Sequence, residues 1–568
     1  VDADVMSAQD AGEQVISIDT LRAIGGILPG LGAADAAERE WRSVILNITP
    51  GDLFTVGAVR WRGDPVLELL PEELVRACGR LVGEPYIASG VEDIAAEVQR
   101  TLRNSGRQFA TVSVHRQVDE RRAVVDLELD VQPGPQLVID TVRIDGADRV
   151  DESFIDHAAG LGPEELISTD ALRQAQERLL RTGLFRSVSV DLQDADADAD
   201  DTSSDEAEST DPDVEADPAA SVLDPPAELR LSPLYRGLQI VLEEREPYEW
   251  RGRIGYGTVD DLRLGTDLIM LAPFGGPERI RVGAEANFRY QSVDAEYMVP
   301  WLFGKEYLTG SIRPFWIHAE EDRPRYDEYL YGATTAVSIR LTPSMRVRPG
   351  ILGARIIDKE RDPDLENTVY APFVEWNWDR RDSSYKPHKG FTLWLRHEAT
   401  SETLGSTLDY IKERARAAVY LPLGERFTLA LGAEAGVIWT GDETESSELP
   451  RSFRFTAGGP FSVRGFEQDA LSPRDADGRR TGGDGLLVLR SELRIAIWGD
   501  LHGALFSDWG NVFMEPDEID FDELRQGVGP GLRYYTPAGA LMLDAGWKVD
   551  PQPGEDDYEL HLSFGMPF

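Results

Sequence analysis

A single cysteine, Cys78, in 568 residues excludes any internal disulfide. Lone in a Val/Leu-rich helical stretch, it reads as a small core residue. Lysine is nearly missing too: Lys305, Lys359, Lys386, Lys389, Lys412 and Lys548 are the only six, and arginine supplies the rest of the positive charge. Against 102 Asp and Glu the net charge is −44, which excludes nucleic acid as a partner because phosphates are repelled. The seven His are scattered without metal-ligand spacing. There is no Gly-x-Ser-x-Gly elbow, no P-loop and no dinucleotide fingerprint, so neither an enzyme nor a cofactor is expected. No apolar run reaches the ~18 residues of a transmembrane helix. The mean hydropathy of −0.32 does not exclude a membrane protein, since transmembrane strands alternate apolar and polar residues. The chain starts at Val1 without an apolar leader, and reads as a mature or trimmed form of a secreted precursor.

From Arg245 onward, short alternating segments follow one another to the end of the chain. In the stretch from Phe427 to Trp439, Phe427, Leu429, Leu431, Ala433, Ala435, Val437 and Trp439 share one face. Thr428, Ala430, Gly432, Glu434, Gly436 and Ile438 share the other. This period of two predicts strands with one face in lipid and one in a lumen. About sixteen such strands fit between 246 and 567, and the connections alternate between short turns and longer acidic loops, as in a transmembrane barrel. The longest loop, about 440–485, follows the eleventh strand. The last strand carries Tyr558, Leu560, Leu562, Phe564, Met566 and Phe568 on one face.

The region before the barrel predicts two modules of order β-α-α-β-β, at 54–135 and 136–247. In the first, Val91, Ile94, Ala95, Val98 and Leu102 form one helical stripe and Gly106 stands at a helix stop. In the second, Thr169 or Asp170 is expected to cap the helix reaching Arg181. An insertion at 192–224, dense in Asp, Glu, Ser and Ala, is expected to be disordered. Residues 1–53 are expected to hold a partial or degenerate copy of the same module.

The module order, with a helix-stop glycine followed by Phe185 and a Val-rich strand, resembles a POTRA domain. Val463-Arg464-Gly465-Phe466 in the long loop, with Phe506-Ser507-Asp508-Trp509-Gly510 in a later strand, resembles the paired signatures of the BamA/TamA superfamily of outer-membrane barrels. A terminal Phe568 on an alternating strand, with Tyr558 and Phe564 on the same face, resembles the C-terminal signal of outer-membrane barrels. The resemblance, closest to the TamA branch, implies a fold of POTRA modules followed by a barrel at 248–568. It implies that the loop folds back into the lumen and that Arg464 meets Asp508. It implies assembly or insertion of unfolded outer-membrane and autotransporter clients, in contact with outer-membrane lipid, with POTRA domains in the periplasm and an inner-membrane TamB-like partner docked on them. The alternative within the superfamily is a two-partner secretion transporter that exports one unfolded protein through the barrel.

Overall fold

The computed structural model describes residues 53–564 except 64–68, 194–232, 258–260, 323–324, 360–364, 442–443, 445, 475–477, 479 and 537–538. The expected N-terminal partial module, the body of the acidic insertion and Phe568 lie outside the described residues.

The first module contains β1 (Thr55–Arg62), α1 (Glu72–Gly79), α2 (Ala88–Asn104), β2 (Thr111–Asp119) and β3 (Val124–Gln132). Its sheet has the order β1-β3-β2, with β1 parallel and β2 antiparallel to the central β3. The helical stripe read from sequence becomes the core: Val91, Ala95, Val98 and Leu102 are buried with Val125, Leu127, Leu129 and Val131, the inward face of β3. Each large apolar side chain buried this way contributes roughly 1.5–3 kcal/mol. Gly106, at φ +87°, ends the helical segment in a conformation that favours glycine.

The second module contains β4 (Leu137–Asp145), α3 (Glu152–Ala159), α4 (Thr169–Arg181), β5 (Phe185–Leu192) and β6 (Leu234–Glu244), with sheet order β4-β6-β5. The cap of α4 is Ser168, one residue before the expected pair: its hydroxyl accepts from the Ala171 N–H at 3.0 Å. Thr169 is already inside the helix, and only Ser168 stands far enough back to reach the third helical N–H. At the end of α3, Gly160 takes the left-handed conformation and Arg178 of α4 donates to the Ala158 carbonyl at 3.1 Å.

Sixteen antiparallel strands follow. They are β7 (Tyr248–Gly257), β8 (Asp261–Leu271), β9 (Arg279–Ala286), β10 (Tyr290–Pro300), β11 (Leu308–Asp322), β12 (Arg325–Thr342), β13 (Met345–Asp358) and β14 (Leu365–Asp379). Then come β15 (Gly390–Thr400), β16 (Tyr410–Pro422), β17 (Phe427–Thr440), β18 (Gly485–Trp498), β19 (Leu501–Phe513), β20 (Arg525–Thr536), β21 (Gly539–Lys548) and β22 (Tyr558–Phe564). They form one sheet in strict sequence order, curled into a nearly closed barrel. The period of two holds: in β17 the residues from Thr428 to Ile438 on the even face are buried, whereas Phe427, Leu431 and Trp439 point outward and are exposed. The outward face is apolar because it meets hydrocarbon; the inward face is buried because side chains fill the lumen.

The second module is joined to the near ends of the strands. The Asp151 N–H donates to the Gly275 carbonyl at 2.7 Å, in the β8–β9 turn. In the β10–β11 turn, Trp301 meets Phe154 edge-on at 6.0 Å between ring centroids, and the Gly304 carbonyl lies 3.1 Å from His157 Nε2.

Candidate functional site in the barrel lumen

The loop from 441 to 484, between β17 and β18, leaves from the end of the barrel opposite the second module and turns back into the lumen. Two features give it shape. Phe455 and Gly483 pair as an isolated bridge. Arg454 donates from Nε to Asp484 Oδ1 at 2.9 Å and from Nη2 to the Ser446 hydroxyl at 2.9 Å. This closes the base of the loop, and Phe453, Phe455, Val463, Phe466 and Leu471 pack together above it with Ile438, Leu486 and Val512 of the wall.

Arg464 is the centre of the site and is 1 % exposed. Its guanidinium forms a bidentate pair with Asp508 on β19, Nε to Oδ2 at 2.6 Å and Nη2 to Oδ1 at 2.9 Å. The Arg464 backbone N–H donates to the same carboxylate at 3.2 Å. Nη1 donates to Glu492 Oε2 on β18 at 2.5 Å and stands 3.8 Å from Asp544 Oδ1 on β21. Two further guanidiniums complete the cluster. Arg533 on β20 bridges Glu492 and Asp544, each at 2.7 Å, and Arg494 on β18 donates to Glu492 Oε1 at 2.7 Å. Three arginines thus face three carboxylates, each charge held by an opposite one as a water-poor site requires, and Arg490 stands opposite Asp508 in the β18–β19 register.

Each luminal residue of the Phe506–Gly510 element touches the loop. Phe506 lies under the guanidinium, with Arg464 Cζ 3.7 Å from its ring centroid. Asp508 holds the charge, and Gly510 leaves room for Val463, whose Cγ2 would lie 2.7 Å from a Cβ there. The space continues across the next two strands. A Cβ on Gly527 of β20 would collide with the Arg464 carbonyl, and one on Gly546 of β21 would collide with the Gly465 N–H. The loop backbone therefore lies directly on the wall. Gly465 itself has φ +96°, which tolerates few side chains, and its N–H points to His561 Nε2 on β22 at 3.3 Å. Phe466 is buried between two cations, Arg525 Cζ at 5.0 Å and Lys548 Nζ at 5.4 Å from its ring.

The structure therefore brings Val463, Arg464, Gly465 and Phe466 together with Asp508. Glu492, Arg494, Arg533, Asp544, His561, Gly527 and Gly546 belong to the same site, although sequence reasoning did not name them. Tyr558 and Phe564 lie apart from it, exposed on the outer face of β22.

Among the described residues, the hydrogen-bonded order runs from β22 to β7 with no ladder joining the two ends. The strands still approach: a Cβ on Gly257 would stand 3.3 Å from the Leu562 carbonyl. A cavity of about 540 Å³ lies in this seam, lined by β7 from Gly252 to Gly257, by Leu562–Phe564 and by Pro460 and Phe461 of the loop.

A sixteen-stranded barrel preceded by POTRA-type modules, with a loop locked inside by a buried arginine, defines an outer-membrane POTRA barrel. The Omp85 superfamily domain matches residues 273–568, and a POTRA domain, the surface antigen variable number repeat, matches residues 137–205. The chain belongs to the Omp85 superfamily. It is 21 % identical to the outer membrane protein assembly factor BamA of Neisseria meningitidis serogroup B, over 93 % of this chain and 68 % of that protein. It is 24 % identical to BamA of Nitratidesulfovibrio vulgaris, over 81 % of this chain and 55 % of that protein, so it spans little more than half of the latter's length. The crystal structure of BamA from Haemophilus ducreyi lacking POTRA domains 1–3 has the same fold, with a TM-score of 0.74 at 16 % identity, covering 90 % of this chain and 99 % of that one. The protein resides in the outer membrane with its POTRA modules in the periplasm.

Proposed function

We propose that the protein assembles and inserts outer-membrane β-proteins by offering the edge of β7 to an unfolded client strand. The observation that carries this reading is the seam, where two strands approach without a ladder among the described residues while the other fifteen neighbour pairs are hydrogen-bonded. An unsatisfied strand edge in hydrocarbon is costly, so a client strand that pairs with it gains backbone hydrogen bonds that lipid cannot supply. Burial of the client's apolar face drives the step, and no nucleotide or cofactor is called for. The likeness to assembly factors over most of the chain supports the same reading.

The finer assignment is to the TamA branch, with autotransporter-type clients and a TamB-like inner-membrane partner on the modules. The edge strands β2 and β5 suit such a partner, because each ends its sheet and can accept another strand. A secretion transporter of the two-partner type would instead pass its client through the lumen. A disulfide between β7 and β22, for example Tyr256→Cys with Leu562→Cys, separates the two. In proteoliposomes, the oxidised barrel should remain folded yet stop inserting a radiolabelled barrel client, and reduction should restore insertion. An oxidised barrel with full insertion activity would rule the seam out.

A further inference from the structure

Halfway round the barrel from the seam, an ionisable pair faces hydrocarbon. His397 and Glu413 stand opposite each other in the β15–β16 register, with His397 Nδ1 2.7 Å from Glu413 Oε1. Arg396, Glu398, Lys412 and Arg414 on either side of them line a cavity in the lumen, so His397 and Glu413 point outward by alternation, and both are half-exposed. Their depth follows from β17, whose outward face is apolar between Phe427 near the periplasmic end and Trp439 near the outer end, the two aromatic girdles of the lipid band. Glu413 is paired with Val437, two residues below Trp439, which puts the pair about 5 Å beneath the outer girdle. Two other outward pairs, His318–Asp327 and Arg355–Glu366, stand clear of the band: β12 runs on from Thr342 to Asp327 and β14 from Asp379 to Glu366, both longer than the ~9–11 residues that cross it. Charge on the lipid face is destabilising, and an ionisable group at this depth marks a contact rather than a requirement of the fold.

The pair aims two polar atoms at lipid. Nδ1 and Oε1 share one proton, and while the pair is neutral overall, whichever side holds that proton, Nε2–H is a donor and Oε2 of Glu413 an acceptor. Among the described residues, nothing else bonds to either side chain, and hydrocarbon supplies no partner. Beneath the pair the wall is flat. Leu395, Ala415, Ala435 and Leu487 stand side by side across β15 to β18, and Ala417 opposite Ala433 carries the alanine surface further down. The leucines bank a shallow channel that runs from the pair towards the bilayer centre. We propose that this face binds an outer-leaflet glycolipid whose acyl chains carry a hydroxyl near the head. Such a hydroxyl accepts from Nε2–H and donates to Oε2 through one atom, while its chain lies along the alanines. An ester-linked glycerophospholipid offers only acceptors at this depth and leaves the carboxyl oxygen without a donor. Trp439, above the pair, sets an indole at the level of the sugar. The site is separate from the seam and stands independently of the proposed function.

The test uses the full chain in phosphatidylcholine nanodiscs and native mass spectrometry, which counts bound lipids and subunits together. The probes are a tetraacylated diphosphoryl glucosamine disaccharide with 3-hydroxyacyl chains and its counterpart with plain acyl chains, so that sugars and phosphates are common to both. The hydroxylated probe should bind about tenfold or more tighter, the scale of one hydrogen bond to a charged group. His397→Leu combined with Glu413→Leu should bring the two probes to within about twofold of each other while affinity for the plain probe stays unchanged. Because the double variant removes polar atoms from the lipid face, its Tm in phosphatidylcholine discs should equal or exceed that of the parent. Equal binding of the two probes by the parent, binding of neither, or a hydroxyl preference that survives the double variant would overturn the site. A double variant that melts lower or fails to fold would make the pair a structural one and overturn the proposal as well. Dimers of the parent that the double variant loses would give this face to a second copy of the chain and overturn the lipid assignment.

Discussion

Replacing Arg464 by alanine removes one guanidinium from a site in which three arginines pair with three carboxylates. Asp508, 0 % exposed, then loses both side-chain donors and keeps the Arg464 backbone N–H, while Glu492, also 0 % exposed, keeps Arg494 and Arg533. Breaking a buried pair by removing one partner costs about 3–5 kcal/mol, because the remaining charge is left uncompensated. The loss of stacking on Phe506 adds about 0.5–2 kcal/mol. The loop has its base still closed by Arg454 and Asp484, so the barrel should stay folded while the loop tip leaves the wall. Two measurements check this. Limited proteolysis in detergent should cut between 458 and 474 in Arg464→Ala but not in the parent. Denaturant titration should show a loss of about 3.5–7 kcal/mol, with Asp508→Asn milder because an amide still accepts one hydrogen bond. Arg464→Lys should recover little, since an ammonium cannot grip Asp508 with two parallel bonds and reach Glu492 as well. The double variant Arg464→Ala, Asp508→Asn should lose less than the sum of its singles. A protease-resistant loop in Arg464→Ala, or a loss below about 1 kcal/mol, would show that the site is hydrated and the pairing incidental.

Three further outcomes are expected. Gly546→Ala, whose Cβ would strike the Gly465 N–H, should expel the loop as Arg464→Ala does, whereas Gly353→Ala, whose Cβ would meet only the Tyr370 ring at 3.4 Å, should leave the loop protected; the same proteolysis distinguishes them. Phe466→Ala should cost about 3–5 kcal/mol in denaturant unfolding through the cavity left between Arg525 and Lys548. In the second module, burial pushes Glu244 up, but the backbone N–H groups of Arg149, Val150 and Asp148 and the Arg149 guanidinium outweigh it, so its carboxyl titrates below the usual range. A depressed folded-state value means stability that is present above the unfolded carboxylate pKa and is lost as pH falls through the folded one. The protection factors of the amides of residues 148–150, taken against the intrinsic exchange rate at each pH, should therefore fall on acidification, and Glu244→Gln should show that lower protection already at neutral pH.

Much of this architecture was legible because strand periodicity is local. Alternation in β17 assigns its lipid and luminal faces without reference to any partner, and the helical stripe from Val91 to Leu102 assigns the core of the first module the same way. Arg464 and Asp508 were legible as a motif pair. Their companions were not, because Glu492, Arg533 and Asp544 sit on three different strands and converge only through the ladder registers. Those registers place Glu492 opposite Phe506, and Asp544 opposite Gly531, two residues before Arg533. A signal existed: each is a charge at luminal parity in a strand whose other face is apolar. Gly527 and Gly546 were hidden for a related reason, since a strand glycine announces a close approach but not what approaches. The cap of α4 was misplaced by one residue because Ser168, Thr169 and Asp170 are all good caps, and only backbone geometry chooses among them.

The hydrogen bond from Gly465 to His561 has a kinetic meaning. Arg464 and Gly465 find their partners on β18, β19, β21 and β22, all of which come later in the chain, the last of them nearly a hundred residues on. Contacts of such separation form late, after the entropy of closing the intervening chain has been met. While the barrel itself is being built, the loop has no complete seat, and the guanidinium of Arg464 has carboxylates on only part of its circumference. The loop settles once the terminal strand has arrived, so its docking marks the end of the protein's own folding. The wall is complete only when β22 is in place, and this contact is where completion is registered.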